Sequence, residues 1–387
     1  MSFPITQRAL ALLEQEPQAY TVIFPDPASP LGVRAGLARG MHAQIATAPH
    51  AWVTNDFDGI PIFSRPIGNA TWDAEARCWR HFTAATSPYF SMAPTEPCRE
   101  VVYRCQPFWY RLTSVGSGGP HAVSVADRPL PGFRLAPMFR NGTDFVYRSV
   151  FAMSLGADGL PHSRGNARAL QGSLAELWTL ARRYDSGARP EGAREWFSDL
   201  LLQTVEFACA DPSLILHGCE GSVLPQMGTV VAEANSSCYA SARGDGCVWR
   251  GKEHPWGGAL SVLADLAAAR ESNADGAQVR LYYQPTPFRF MGWLGERYEA
   301  AGILPARAGE TVPLSGFALC KGDFLYPAYA VQGGVATRGA VAMEGGDLFD
   351  GPLCVSIGGA RDSATRFALT YTEGEHGHAL CGRLIVG

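Results

Sequence analysis

The chain has 387 residues, of which 47% are hydrophobic and 18% are charged, and its formal net charge at pH 7 is −4. Such a charged share lies below the roughly 25% of average globular proteins and excludes intrinsic disorder for most of the length. The small negative charge offers no field for a polyanion, so nucleic acid is not expected as a partner. Uninterrupted apolar runs fall short of the about 20 residues that span a bilayer, so no membrane insertion is expected.

The first 50 residues differ from the rest and predict an attachment or oligomerisation segment. A short stretch, residues 6–16, places four apolar side chains on one helical face: Ala9, Leu10, Leu12 and Leu13. It is too short to be stable alone, and the prolines of the following PDPASP run predict an extended or irregular connector. Residues 51–387 are predicted to form one domain.

The opening residues lack the basic and apolar regions of a secretory signal, so we expect synthesis in a reducing cytoplasm. The ten cysteines then act as small buried hydrophobes. Two pairings stay open should the protein meet oxidising surroundings, Cys238 with Cys247 and Cys209 with Cys219. No spacing typical of a structural zinc site occurs.

Short apolar runs closed by Gly or Pro predict strands between residues 52 and 157, as in VVYRCQPFWYRLTSVG and TDFVYRSVFAMSLG. Two helices are predicted in the middle of the chain. Ser173 and Glu176 fit a capping box for a helix over residues 174–184. Pro190 is predicted to be the first residue of the next helix, which ends by Pro212. Further helices remain open around residues 258–270 and 292–301.

Motifs of known catalytic chemistry are missing: the sequence holds no G-x-S-x-G, H-E-x-x-H or P-loop. His376 and His378 alone are too few for a metal site, and no carboxylate and amide cluster of the calcium type is recognisable. Glu253 and Asp265 are interpreted as side chains paired inside the fold. We therefore expect no metal, no cofactor and no enzymatic activity.

One block, RGKEHPWGGALSVLADL at residues 250–266, resembles the YRGxENPWGNxWxWxDG signature of bacteriophage and prophage tail proteins with a C-type-lectin-like domain. Formylglycine-generating enzymes and the variable proteins of diversity-generating retroelements share that domain. Four further blocks follow the order of that family: DFDGIP at 56–61, YRCQPFWYRL at 103–112, PGFRLAPMFRNGTDFVYRSVFAMSL at 131–155, and VSIGGARDSATRFALTYTEGEHGHALCGRL at 355–384. The resemblance covers about residues 51–387.

This resemblance implies an α+β, C-type-lectin-like fold with two helices, short antiparallel strands and long irregular loops. It assigns a structural role to the signature residues Gly251, Glu253, Pro255, Trp256, Gly257, Gly358, Gly359, Gly382 and Arg383. Such domains vary the side chains of a C-terminal surface on a fixed scaffold. The corresponding ligand-binding candidates are Arg361, Asp362, Thr365, Arg366, Thr370, Tyr371, Glu373 and His376.

The function that the resemblance implies is host recognition by a receptor-binding (adhesion) protein at the tip or tail fibre of a phage virion. Its partners would be a bacterial surface glycan or protein and other phage tail proteins. A homotrimer made in the host bacterial cytoplasm is expected, since weak contacts gain from multivalency. Three alternatives stay open: a structural tail or baseplate subunit, a glycan depolymerase, and a formylglycine-type oxidase that would use Cys354 and Cys381.

Overall fold

The structure is a computed structural model, and it describes residues 17–25, 29–96, 99–113, 122–139, 145–219, 226–257, 260–273, 276–284, 298–304, 311–313, 316–319, 325–328, 340–343, 353–358, 367–371 and 380–386. The predicted helical face at residues 6–16 and the residues 292–297 of a possible helix lie outside these ranges. Three α-helices are described: α1 (Leu174–Tyr184), α2 (Ala193–Phe207) and α3 (Thr229–Glu233). None of them is long and apolar enough to cross a membrane.

Helix α1 begins where the sequence predicts it. Ser173 is the N-cap residue, its hydroxyl accepts a hydrogen bond from the Glu176 amide, and the Glu176 carboxylate accepts one from the Ser173 amide at 2.8 Å. These two bonds satisfy amides that the first turn of a helix otherwise leaves unpaired. The predicted capping box and the predicted range 174–184 are both confirmed.

Helix α2 exists as predicted, but its predicted first residue is wrong. The helix begins at Ala193 after the N-cap Gly192, and the Glu195 carboxylate accepts a hydrogen bond from the Gly192 amide at 2.9 Å. Pro190 instead lies in a two-residue strand paired with Leu384 near the chain end. That long-range pairing has no local sequence signal, and it overrides the preference of proline for a helix start.

Strands make up most of the regular structure. Strands β1 to β9 are Tyr20–Ile23, Val33–Gly36, Ile67–Asp73, Cys78–Ala84, Arg99–Cys105, Trp109–Thr113, Ala122–Ala126, Arg134–Leu135 and Val146–Ser149. Strands β10 to β18 are Ser154–Leu155, Pro161–His162, Arg189–Pro190, Cys238–Ala240, Cys247–Trp249, Lys252–Glu253, Leu260–Asn273, Gly276–Tyr283 and Glu299–Leu304. Strands β19 to β25 are Thr311–Pro313, Gly316–Leu319, Leu325–Ala328, Ala340–Met343, Leu353–Gly358, Phe367–Tyr371 and Leu384–Ile385.

These strands form several small sheets and one larger one. The orders are β2-β1-β7-β6-β8, β4-β3-β5-β9, β13-β14-β15 and β18-β17-β16-β23-β24-β22-β19, with the pairs β10-β11, β12-β25 and β20-β21. All pairings are antiparallel except β22 with β24. The prediction of an α+β, C-type-lectin-like fold class is therefore wrong, because antiparallel sheets dominate and point to a mainly β fold.

The Ala-rich run at residues 258–270 shows how strand pairing overrides helix propensity. Its leucines and alanines have good helix propensity, yet Leu260–Asn273 is the long strand β16, paired with β17 on one side and β23 on the other. A strand buried between two neighbours gains more from pairing and packing than the small differences in intrinsic propensity. The possible helix at residues 292–301 is contradicted at its end, where Glu299–Leu304 is a strand.

Part of the predicted attachment segment belongs to a sheet of the main body. Strand β1 lies between β2 and β7, and the Thr21 and Ser124 hydroxyls form a buried hydrogen bond at 2.9 Å. Strand β2 forms the edge of this sheet, with Val33 exposed. The division of the chain near residue 50 stays a prediction.

The main hydrophobic core lies around helix α2, and almost every residue of this helix is buried. Its aromatic side chains pack edge to face with the sheets, as Phe197 does with Tyr110 at 5.7 Å between ring centroids. Three acidic residues of α2 are buried with them: Glu195, Asp199 and Glu206. Burying a carboxylate is costly unless a cation or several donors surround it. The partners of these carboxylates define the site described next.

Candidate functional site

The signature block RGKEHPWG begins with a tight hairpin between β14 and β15. Trp249 faces Lys252 across the hairpin, so Arg250 and Gly251 form a two-residue turn. Both turn residues have positive φ, 45° at Arg250 and 85° at Gly251, as the twist of a tight hairpin requires. Glycine adopts this conformation freely, whereas arginine needs compensating contacts.

Those contacts come from Glu206 on helix α2. Its carboxylate accepts hydrogen bonds from Arg250 Nε at 2.7 Å and Nη2 at 2.6 Å, from Trp249 Nε1 at 2.9 Å and from Asn55 Nδ2 at 2.9 Å. Burial alone would raise the pKa of Glu206, but the Arg250 charge and these hydrogen bonds bring it below its ordinary value. The turn is therefore fixed to the central helix by a fully buried ion pair.

A second buried cluster surrounds Asp199, about two helical turns before Glu206. Its carboxylate lies 2.8 Å from Arg65 Nη1, 2.6 Å from Arg148 Nη1 and 3.0 Å from Lys252 Nζ. Burial would raise the pKa of Asp199, but Arg148, Arg65 and Lys252 bring it far below its ordinary value. Glu191 supplies a second carboxylate, which contacts Arg148 and lies 2.7 Å from Lys252 Nζ.

The chain end is part of the same network. The Arg383 guanidinium donates hydrogen bonds to the carbonyls of Val150 at 2.5 Å and His254 at 3.1 Å, and to that of Glu253. Because these carbonyls belong to the strand region after β9 and to the signature block, Arg383 joins three distant parts of the sequence. We call Glu191, Asp199, Glu206 and their buried cations the ion-pair hub.

Two acidic residues predicted to be paired inside the fold are buried there and accept hydrogen bonds from backbone amides. The Glu253 carboxylate accepts hydrogen bonds from the amides of Gly228 at 2.9 Å and Val231 at 3.0 Å, at the start of α3. Asp265 accepts one from the Ala193 amide at 2.5 Å, at the start of α2. Each carboxylate therefore satisfies donors that a helix start leaves free.

The remaining signature residues pack the block against the core. Trp256 is buried, and its Nε1 donates a hydrogen bond to the Leu216 carbonyl at 2.9 Å. Gly257 has a φ of 84° and forms an isolated bridge with Cys219. Pro255 is buried, as is Gly382. Gly358 ends strand β23 and pairs with Leu260, whereas Gly359 lies outside the described residues.

An open cleft of about 640 Å³ lies beside the hub. Segments around residues 52, 64, 90, 235 and 250 line it, and its lining includes Trp52, Asp58, Phe90, Met92, Asn235, Ser236, Ser237, Arg65 and Arg250. Trp52 is 73% exposed, although most tryptophans of folded proteins are largely buried. An exposed aromatic ring at the edge of a cleft is typical of a binding surface.

The segment that carries Trp52 is held in place by polar contacts. Ser236 Oγ donates a hydrogen bond to the Ala51 carbonyl at 2.9 Å and accepts one from the Val53 amide at 3.0 Å, so it bonds to the backbone on both sides of Trp52. The His50 amide donates to the Glu233 carbonyl at 2.7 Å. The indole is therefore presented from a fixed backbone, which lowers the ordering cost of binding.

Under the cleft, Arg65 stacks over the Trp249 ring at 4.2 Å from its centroid. Its Nε and Nη2 have no hydrogen-bond partner among the described residues, and the same holds for the buried Ser237 hydroxyl. Asp58 is only partly buried and its carboxylate accepts a hydrogen bond from Arg250 Nη1 at 3.3 Å. The cleft thus combines an apolar wall with a polar edge that has unused hydrogen-bonding capacity.

Most ligand-binding candidates from the sequence fall outside the described residues: Arg361, Asp362, Thr365, Arg366, Glu373 and His376. For the other two the structure gives backbone pairing, with Thr370 opposite Cys354 and Tyr371 opposite Leu353. Both ends of this segment pair with other described residues. Strand β23 pairs with β16 before it, and Leu380 bridges to Gly172 after it.

The cysteines considered for pairing are free thiols in the structure. Cys209, Cys219, Cys238 and Cys247 are all buried, and burial raises the pKa of Cys209 to about 11, so its thiol stays protonated. Among the described residues, no group of three or more His, Cys, Asp or Glu side chains is arranged to hold a metal ion.

The hub and the cleft contain residues that the sequence did not single out. Glu191, Asp199 and Glu206 fall within or next to an apolar helical pattern, where charged residues are ordinarily interpreted as a solvated face. The sequence indicates their burial only through the apolar residues that lie on all sides of α2. Trp52 has no periodic pattern around it.

Comparisons with protein-family profiles, curated proteins and solved structures found no match to this chain.

A buried histidine predicts a pH dependence of stability. His162 Nδ1 lies 2.6 Å from a Glu100 carboxylate oxygen, and Nε2 lies 2.9 Å from Asp158. Burial lowers the pKa of His162, but the Glu100 and Asp158 carboxylates outweigh burial and raise it above its ordinary value. The stabilisation is thus complete below the unfolded-state pKa of about 6.5 and is lost as pH rises through the folded-state pKa.

We expect Asp158→Asn to reduce this contribution, because it removes the charge facing Nε2. Urea unfolding near pH 6 and near pH 9 is the measurement. The stability advantage of the wild type over the variant is expected to be larger near pH 6 and smaller near pH 9. An advantage of the same size at both pH values would show that the histidine is neutral in the folded protein.

Proposed function

We propose that this protein is a receptor-binding (adhesion) protein of a phage or prophage tail. It binds a bacterial surface glycan or protein through side chains of its C-terminal segment. The observation that carries the proposal is the anchoring of that segment. Before the segment, strand β23 pairs with β16. After the segment, Arg383 is buried in the ion-pair hub. A segment with both ends fixed can change its side chains at little cost to the core.

Sequence resemblance supports the same proposal, since the block at residues 250–266 and the terminal GRL resemble those of tail proteins of this kind. In the structure the two blocks meet, because Arg383 bonds to the carbonyls of Glu253 and His254. The resemblance thus rests on residues that contact one another. Assembly as a homotrimer with other tail proteins in the virion belongs to the same proposal.

Binding to intact cells tests this proposal. Purified protein is mixed with candidate host bacteria and sedimented with them, and released reducing sugar is measured in the same tubes. We expect saturable binding without sugar release, and at least a tenfold weaker binding by the Arg366→Ala/Tyr371→Ala variant. This effect corresponds to about 1.4 kcal/mol or more.

The control is Arg183→Ala, which removes an exposed arginine on helix α1. Sugar release would indicate a glycan depolymerase. Absence of binding to every host, together with binding to other tail proteins, would indicate a structural tail subunit.

A further inference from the structure

The cleft beside the ion-pair hub has the features of a binding site that is separate from the C-terminal segment. Trp52 stands at its edge with 73% of its surface exposed, while Phe90 and Met92 line its wall. The polar contacts of Ser236 with Ala51 and Val53 fix the backbone on both sides of the indole. A ligand that stacks on this ring therefore binds a preorganised surface.

Polar groups of the cleft define what a ligand must offer. The Asp58 carboxylate uses one oxygen for Arg250, which leaves its other oxygen as an acceptor. Asn235 is exposed in the lining and carries both a donor and an acceptor. These groups together match a ligand rich in hydroxyls.

The charge at the cleft edge further restricts the class of ligand. A ligand carboxylate or phosphate next to Asp58 would meet a like charge. The cations nearest the lining are already paired, Arg250 with Glu206 and Arg65 with Asp199. A neutral ligand avoids the repulsion and still donates hydroxyl protons to Asp58.

We propose that this cleft binds a neutral saccharide unit, with one sugar face on the Trp52 indole and the hydroxyl edge on Asp58 and Asn235. A pyranose ring has an apolar C–H face and a rim of hydroxyls, which corresponds to the apolar wall and polar edge of the cleft. The site goes beyond the proposed function because it uses no residue of the C-terminal segment. It depends on that function only for the choice of bacterial sugars as probes.

The test measures binding of defined sugars to the full-length protein. Methyl glycosides of glucose, galactose and mannose, N-acetylglucosamine and glucuronate are used as probes in saturation-transfer NMR and calorimetric titration. Single sugars are expected to bind with dissociation constants of roughly 1–10 mM, because few atoms contribute to such a contact. At least one neutral sugar is expected to bind more tightly than glucuronate.

Two exposed aromatic residues provide a matched pair of variants. Trp52→Ala is expected to weaken binding of the neutral sugar at least tenfold, while Trp52→Phe retains part of it. Tyr89→Ala removes a ring that is 80% exposed and does not line the cleft, so binding is expected to stay unchanged. Because both side chains are exposed, neither alanine variant should impair folding, which thermal unfolding checks.

Three results would overturn the proposal: no sugar binds up to 100-fold above the expected range of roughly 1–10 mM, Trp52→Ala binds as the wild type does, or glucuronate binds most tightly. None of these three results depends on a residue of the C-terminal segment. Sugar binding that Trp52→Ala leaves unchanged, together with cell binding that is lost in Arg366→Ala/Tyr371→Ala, would therefore refute the cleft proposal and leave the proposed function standing. The reverse pattern would do the opposite.

Discussion

Asp199→Asn is expected to lower the free energy of unfolding by about 3–5 kcal/mol, the range found when one partner of a buried ion pair is removed. Three cations depend on this carboxylate: Arg65, Arg148 and Lys252. Asparagine keeps the size of the side chain but removes the charge, so these cations remain buried with only Glu191 to neutralise them. Urea or guanidinium unfolding followed by circular dichroism is the measurement.

The matched control is Asp73→Asn, which changes the same residue type in an exposed ion pair with Arg80 at 3.0 Å. Surface pairs contribute little because water and salt screen them. The unfolding midpoint of this variant is expected to match that of the wild type. Equal effects of the two substitutions would show that the Asp199 cluster is hydrated rather than buried.

Gly257→Ala is expected to destabilise the protein by about 3–5 kcal/mol, the combined cost of a strained backbone and of overpacking. Gly257 has a φ of 84°, which L residues rarely adopt. An added Cβ would lie 2.5 Å from the Cys219 amide nitrogen and 2.7 Å from its carbonyl oxygen. Backbone atoms cannot turn aside as a flexible side chain can, so the signature block would separate from residue 219.

Gly159→Ala separates the two causes. Gly159 has a similar φ of 75°, but nothing lies within 4 Å of an added Cβ. Only the backbone strain remains, and a loss of about 1–2 kcal/mol is expected. The difference between the two variants measures the contact with Cys219. If Gly257→Ala costs no more than Gly159→Ala, the close approach of the signature block to residue 219 is wrong.

Local sequence rules worked where local contacts decide the structure. The capping box of Ser173 and Glu176 lies within four residues, and helix α1 has the predicted bounds. The strand runs before residue 157 were also recognisable, because alternating apolar residues and Gly or Pro breaks are local features.

Long-range pairing decided the places where prediction failed. Pro190 pairs with Leu384, and β16 pairs with β17 and β23, so a predicted helix start and a possible helix became strands. Leu384 and β23 lie far from their partners in sequence, whereas β17 follows β16 directly. The α+β prediction was based on two helices, both of which are present, and it is wrong because strands dominate the described part of the chain.

The ion-pair hub was invisible to sequence periodicity for a related reason. Asp199 and Glu206 look like a solvated helix face, and Glu191 precedes that helix, until the cations of the hub and the signature hairpin are placed around α2. The cleft was missed because Trp52 belongs to an irregular segment held by Ser236, which is far away in sequence. A buried hub and a cleft of this kind become predictable only once the tertiary contacts are known.

Binding to whole cells, measured for wild type, Trp52→Ala, Arg366→Ala/Tyr371→Ala and the combined variant, tests the central claim of an adhesion protein most directly. We predict saturable binding of the wild type to a specific host, at least tenfold weaker binding of each variant, and the weakest binding by the combined one. Wild-type binding that is unsaturable on every host, or that all three variants retain in full, would contradict the claim.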